Sequence, residues 1–190
     1  MNLDGGIHEI PLGGMPGRLW LCGKHAIGPD VRGLLDRIRS TNGPAHVVCL
    51  VEKHELAHRY DDYIDWLGGT VPAGGATWFP IHDLSAPERL GFAELVESVH
   101  RRLSTGVDVV AHCAAGKGRA GTLAVAVCVR AGYTLAEAVT KVRHHRPGAG
   151  PEVGEQSALV EWFAGRVAGS ARVDGARDAI ETGERRDREK

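Results

Sequence analysis

Residues 109–122, VVAHCAAGKGRAGT, constrain this chain more than any other stretch. Strand-forming Val107, Val109 and Val110 lead into His112 and Cys113. A loop with Gly116 and Gly118 follows, Arg119 closes it, and the apolar run 123–131 reads as a helix. Consecutive loop N–H groups can turn inward as a nest for an anion. Gly116 and Gly118 are expected to supply the φ values such a loop needs. The helix start adds positive potential. Arg119 offers a planar, permanently charged fork that matches two phosphate oxygens. The same field favours Cys113 as a thiolate, the nucleophilic form. This stretch therefore predicts a site that holds a doubly charged oxyanion with sulfur in line with its central atom.

A bare Cys-x5-Arg arises by chance roughly 0.4 times in a chain of this composition, whereas adding the preceding His and Gly116 lowers that to on the order of 0.003. The longer pattern carries the signal. HCAAGKGRAGT resembles the signature loop of the cysteine-based protein-tyrosine and dual-specificity phosphatases, HCxxGxxR followed by Ser or Thr. The match lies at His112, Cys113, Gly116 and Arg119. The resemblance implies that Ala114, Ala115, Gly116, Lys117, Gly118 and Arg119 wrap the phosphate. It departs at Ala120, where the family has a hydroxyl that assists breakdown of the phosphocysteine. Thr122 is nearby but is not assumed to replace it.

With 190 residues the chain can bury one sizeable core. A net charge of −1 and few aromatics give neither the basic footprint nor the stacking platform of a nucleic-acid binder. No apolar run reaches membrane-spanning length. Cys22, Cys49, Cys113 and Cys128 are scattered, which points to reduced thiols and a cytoplasmic setting.

Taken in order, residues 7–12 read as an extended piece, 18–23 as a strand and 29–38 as a helix with Val31, Leu34, Leu35 and Ile38 inward. Asn42-Gly43-Pro44 breaks the chain before a dense apolar strand over 45–51. A short helix over 60–67 is expected to stop before Gly68-Gly69. Strand 77–81 contains Pro80, which places it at a sheet edge or end. A helix bearing Phe92, Leu95, Val96, Val99 and Leu103 ends at Gly106. Thr134 and Glu137 form a capping box for a helix to about 144, and a last helix covers 152–167. Strands alternating with helices predict an α/β fold with a central, mostly parallel twisted sheet flanked by helices. The resemblance makes it protein-tyrosine-phosphatase-like. The predicted domain is 1–168, followed by a charged tail over 169–190 that cannot bury enough apolar surface to order itself.

Cleaving a phosphate ester needs a proton for the leaving oxygen and then a base for water. Asp83, in FPIHDLSAP, precedes Cys113 by 30 residues and follows an apolar strand, where loops gather at the ligand crevice of an open sheet. The family's general acid is an Asp at about this separation. Asp83 also fits an Asx turn or a helix cap. Asp108 is a poor alternative, since it starts the strand whose far end carries the thiol. His112 fits either support of the loop, as the family implies, or a satisfied core histidine. Lys117 is either a solvated cation or an attraction for polyanions, and the AGKGR loop resembles lipid-directed members of the family. The segment RPGAGPEVGEQ resembles one in small dual-specificity enzymes where a Gln orients water, which nominates Gln156. Arg146 either adds charge for phosphate or lies on the surface. Cys49 reads as a core thiol or as a redox partner of Cys113.

Two rival motifs remain. HELAH, 54–58, fits the H-E-x-x-H zinc pattern, with His54 and His58 as ligands and Glu55 as base. No convincing third ligand follows it in a helix. A nucleotide P-loop needs Ser or Thr after the Gly-Lys pair, and Gly118 stands there.

The reading is a compact dual-specificity-like phosphatase working on phosphorylated proteins or peptides, with no cofactor or metal. Its partners exclude nucleic acid and an integral membrane segment. Cys113 is the nucleophile, Arg119 the oxyanion stabiliser and Asp83 the acid. A phosphoinositide phosphatase, a slow phosphate-binding pseudophosphatase and, remotely, a zinc hydrolase are the alternatives.

Overall fold

The computed structural model describes residues 6–38 and 44–170. Its sheet has five strands: β1 His8–Ile10, β2 Leu19–Gly23, β3 Ala45–Cys49, β4 Ala76–Trp78 and β5 Asp108–Cys113. Their order is β1-β2-β5-β3-β4, so β5 is central and β4 an edge. β2, β5, β3 and β4 run parallel, while the outer β1 is antiparallel to β2. A mostly parallel sheet directs the C-terminal strand ends, and the loops leaving them, to one edge. Cys113, Cys49 and Gly23 all stand at that edge.

The helices are α1 Lys24–Ile27, α2 Val31–Ile38, α3 Asp61–Thr70, α4 Arg89–Ser104, α5 Gly118–Arg130 and α6 Leu135–His145. A seventh, α7, covers 154–170. α5 is buried on all sides from Gly118 to Val129, and it packs against β2 and β5 between α4 and α6. Its apolar side chains, Leu123, Val125 and Val127 among them, each stabilise the fold by roughly 1.5–3 kcal/mol on full burial. Phe163 of α7 meets Phe92 of α4 edge-on, with centroids 6.2 Å apart.

The helical stripe Val31, Leu34, Leu35 and Ile38 is buried as its spacing predicted. The Thr134–Glu137 capping box is formed in both directions. α3 differs from expectation, because it continues through Gly68 and Gly69 to Thr70. Packing of Tyr63 and Leu67 into the core outweighs the glycines' weak helix propensity. The Asn42-Gly43 part of the expected breaker and the tail 171–190 lie outside the described residues. α7 runs two residues past the expected boundary at 168.

Asp108 begins β5 fully buried, accepting from the Arg18 backbone N–H at 2.8 Å and from its Nη2 at 3.1 Å. It therefore sits at the sheet end opposite the thiol.

Two buried histidines make the fold acid-sensitive. Burial pushes His46 and His112 each down to about 4. The unfolded chain holds these protons below the ordinary value of 6.5, so it binds more protons than the folded chain in between. Stability from this pair is complete above pH 6.5 and is lost as pH falls toward 4. Urea midpoints measured across that window should fall, with proton uptake on unfolding from this pair approaching about two near pH 5.

Candidate active site

β5 ends at Cys113, and the chain curls through residues 114–117 into α5. The Gly116 N–H donates to the Cys113 sulfur at 3.2 Å, so the sulfur lies inside the curl. Gly116 has φ +72°, and a Cβ there would stand 2.3 Å from the Cys22 carbonyl oxygen. Both strain and overlap exclude a side chain. Gly118 serves differently from expectation. It opens α5 and is not left-handed, and a Cβ on it would meet the Glu152 carboxylate at 2.0 Å. The helix thus begins five residues earlier than the apolar run suggested, which puts Arg119 in its first turn.

Arg119 is 3% exposed, and its two terminal nitrogens meet four acceptors. Nη1 donates to Glu55 Oε1 at 2.6 Å and to the Ile81 carbonyl at 2.8 Å. Nη2 donates to Glu55 Oε2 at 2.9 Å and forms an ion pair with Asp83 Oδ1 at 3.0 Å. Burial opposes the guanidinium charge, but the Glu55 bonds and the charges of Cys113 and Asp83 hold it above its ordinary value. Burial also opposes the charge on Glu55. Hydrogen bonds from Arg119 and the Glu52 backbone, with the charges of Arg119 and Lys24, keep its carboxyl below the usual range.

Glu55 is the residue the zinc reading misassigned. Only His54 and Glu55 of HELAH lie in a 3-10 turn, Lys53–Glu55, and His58 has φ +64°, so no helix face carries His54 and His58 together. Glu55 instead aims the arginine. Its place in a motif was the available signal; the partner, 64 residues away, was not readable.

Asp83 stands 63% exposed with its carboxylate on Arg119, the guanidinium that also feels the charge of Cys113. His112 is fully buried and shares a 2.6 Å hydrogen bond with the Tyr63 hydroxyl. Pushed down to about 4 by burial, it is neutral and places no positive charge under the sulfur. Arg146 overturns the surface reading. It is 3% exposed, and it donates to the carbonyls of Gly116 at 2.5 Å and Ala115 at 2.7 Å from behind the loop. Those bonds engage the two carbonyls, while the Gly116 N–H turns to the sulfur. Lys117 runs its stem past Gly148.

Gln156 is 1% exposed. Its Oε1 accepts from Thr122 Oγ1 at 3.3 Å and from the Glu152 N–H at 2.9 Å, and its Nε2 donates to the Ser85 carbonyl at 3.1 Å. Thr122 thus points to Gln156, and Ala120 leaves the sulfur without a neighbouring hydroxyl at that position. Cys49 lies opposite His112 in the register, and it remains a free thiol. Burial pushes the thiols of Cys22, Cys49 and Cys128 up to about 12.

A family model described as Tc-R-P, "Polymorphic toxin system, DSP-PTPase phosphatase", matches residues 40–133. The solved structure of Tk-PTP in its active form is 26% identical, with a TM-score of 0.63 over 84% of this chain and 97% of that one. Residues 40–133 carry a dual-specificity-type phosphatase domain, and the chain has the fold of the cysteine-based protein-tyrosine phosphatases. This phosphatase also shares its fold with kinase-associated phosphatase carrying a Cys-to-Ser substitution, at 17% identity and TM-score 0.67 over 88% of this chain and 98% of that one. PTPMT1 in complex with PI(5)P likewise shares the fold, at 16% identity and TM-score 0.65 over 87% of this chain and 98% of that one. No curated protein sequence matches the phosphatase. Among its described residues no helix is long and apolar enough to cross a membrane, and no cluster of three His, Cys, Asp or Glu side chains is placed to hold a metal.

Proposed function

We propose that the phosphatase hydrolyses phosphate monoesters through a phosphocysteine intermediate, acting on phosphotyrosine and phosphoserine/threonine in proteins. The observation that carries this reading is one short loop that holds the Cys113 sulfur on the Gly116 N–H and leads directly into Arg119, which pairs with the Asp83 carboxylate and feels the charge of Cys113. The phosphatase domain is residues 1–168.

A substrate dianion entering the loop takes Nη2 of Arg119 and displaces Asp83. Asp83, no longer matched by the guanidinium, faces a second negative group. As general acid, Asp83 holds a proton toward the leaving oxygen. The Cys113 thiolate attacks phosphorus as the ester P–O bond breaks, and Asp83 transfers its proton to the departing oxygen. Loop N–H groups and Arg119 stabilise the equatorial oxygens. Water then attacks the phosphocysteine and Asp83 takes its proton. The P–S bond breaks, releasing phosphate and regenerating the thiolate. Asp83 stands at an exposed rim, so the leaving group need not reach deep, which supports a shallow site open to both classes of phosphoresidue.

The second step lacks a hydroxyl at 120 to relieve charge on the departing sulfur. Rapid mixing with an aryl phosphate should therefore give a burst close to one product per enzyme, followed by slow turnover. Ala120→Ser should raise kcat by about tenfold and leave kcat/KM nearly constant, since kcat/KM reports only steps through the first transition state.

Lys117 in the AGKGR loop favours a second reading, a phosphoinositide phosphatase. Parallel assays of phosphotyrosine and phosphothreonine peptides and of phosphoinositide vesicles decide between them. Turnover confined to the vesicles overturns the protein-substrate reading. The absence of any burst or covalent phosphoenzyme overturns the mechanism.

A further inference from the structure

Gln156 is held too tightly to serve water in this arrangement. Both lone-pair directions of Oε1 are taken, by Thr122 Oγ1 on α5 and by the Glu152 N–H. Its Nε2 spans 71 residues of sequence to reach the Ser85 carbonyl, two residues beyond Asp83. The side chain is 1% exposed, so moving the 82–85 loop away removes a hydrogen-bond acceptor from a donor that water does not reach. The same loop is held at its other side by Ile81, whose carbonyl accepts from Arg119. Asp83 is thus suspended between two anchors, one on Arg119 and one on Gln156. Both anchors originate in or rest upon α5, the helix that also presents the phosphate loop.

We infer that Gln156 is a positioning residue that sets the height of Asp83 over the thiol by holding the Ser85 carbonyl, with Thr122 fixing the orientation of its amide. This rests on Asp83 being the general acid. The role is distinct from orienting water: it acts on the first chemical step and through the backbone of the acid loop. It also gives a use to the buried polar pair Thr122–Gln156, which the phosphate loop itself does not need.

Leaving-group dependence separates this from a packing role. Esters whose leaving oxygen is a good anion need little protonation, whereas phenyl phosphate needs it fully. Gln156→Met keeps the volume and removes both the donor and the acceptor. For this variant kcat/KM should fall by less than about threefold on difluoromethylumbelliferyl phosphate and by about 30-fold on phenyl phosphate, while inhibition by inorganic phosphate persists. Asp83→Asn, run alongside, should show a steeper version of the same slope. Thr122→Val, which releases the amide from α5 without emptying the site, should show a shallower one, and it carries the test if Gln156→Met does not fold. If Asp83→Asn is steep while a folded Gln156→Met parallels the wild type, or Thr122→Val does so where Gln156→Met does not fold, the inference is overturned. If Asp83→Asn shows no leaving-group dependence, the acid assignment itself fails and the inference goes with it.

Discussion

Cys113→Ser should lower turnover of any phosphate monoester by more than about 10⁴-fold while leaving affinity for inorganic phosphate within a few-fold of the wild type. The two halves of that expectation have separate causes. Nucleophilic attack needs an ionised atom, and a serine hydroxyl in this loop stays protonated where a thiol can ionise. On the proposed reading, binding draws on other parts: the N–H groups of the 114–118 loop, the start of α5, and the buried Arg119. None of these changes when sulfur becomes oxygen. Steady-state assays with the substituted protein measure the first half and calorimetric titration with phosphate the second. Full activity in Cys113→Ser would refute the mechanism. Loss of phosphate binding together with activity would instead show that the sulfur organises the loop, through the Gly116 N–H it accepts at 3.2 Å.

Arg119→Lys should reduce kcat/KM by about 10³-fold, although the charge is conserved. A lysine can supply one point of charge, not the fork that meets two phosphate oxygens. It also abandons four acceptors. Glu55 loses two charge-assisted hydrogen bonds, the Ile81 carbonyl loses its donor, and Asp83 loses its resting partner. Glu55, with its side chain 11% exposed, would be left with Lys24 Nζ at 3.9 Å as its remaining ion pair. The loss should therefore appear in both kcat and KM. Glu55→Gln, which retains shape and one acceptor, should give a smaller decline of about tenfold, mainly in KM, because it weakens the aim of the guanidinium without removing it. Steady-state kinetics on one aryl phosphate, with circular dichroism as a check on folding, compare the two variants.

The strand, loop and helix around Cys113 were legible because their logic is local. β-branched residues, a thiol, glycines and an apolar helix follow one another within about twenty residues, and the Thr134–Glu137 capping box is equally short-range. What stayed hidden was long-range. Glu55 acquires its role only when the 3-10 turn after β3 is laid beside α5. Arg146 follows a helix C-terminus, where arginines usually meet solvent, and only the closing of the 146–150 turn over the loop buries it. Gly118 looked like a second flexible loop glycine. It is a helical residue whose missing side chain makes room for Glu152, a clearance no local pattern encodes. α3 ran through its two glycines for a related reason: the core contacts of Tyr63 and Leu67 come from elsewhere in the chain.

The engagement of Arg119 with its own carboxylates has a consequence for discrimination among anions. A chloride ion or a solvent carboxylate offers the guanidinium one negative charge, no more than Asp83 already supplies from a side chain tethered in place, and the tether gives Asp83 the advantage of effective concentration. A phosphate monoester brings two charges and three oxygens that the loop amides can chelate at once. On the proposed reading the resting site would act as a valence filter, favouring a phosphate monoester over the monovalent anions commonest in solution.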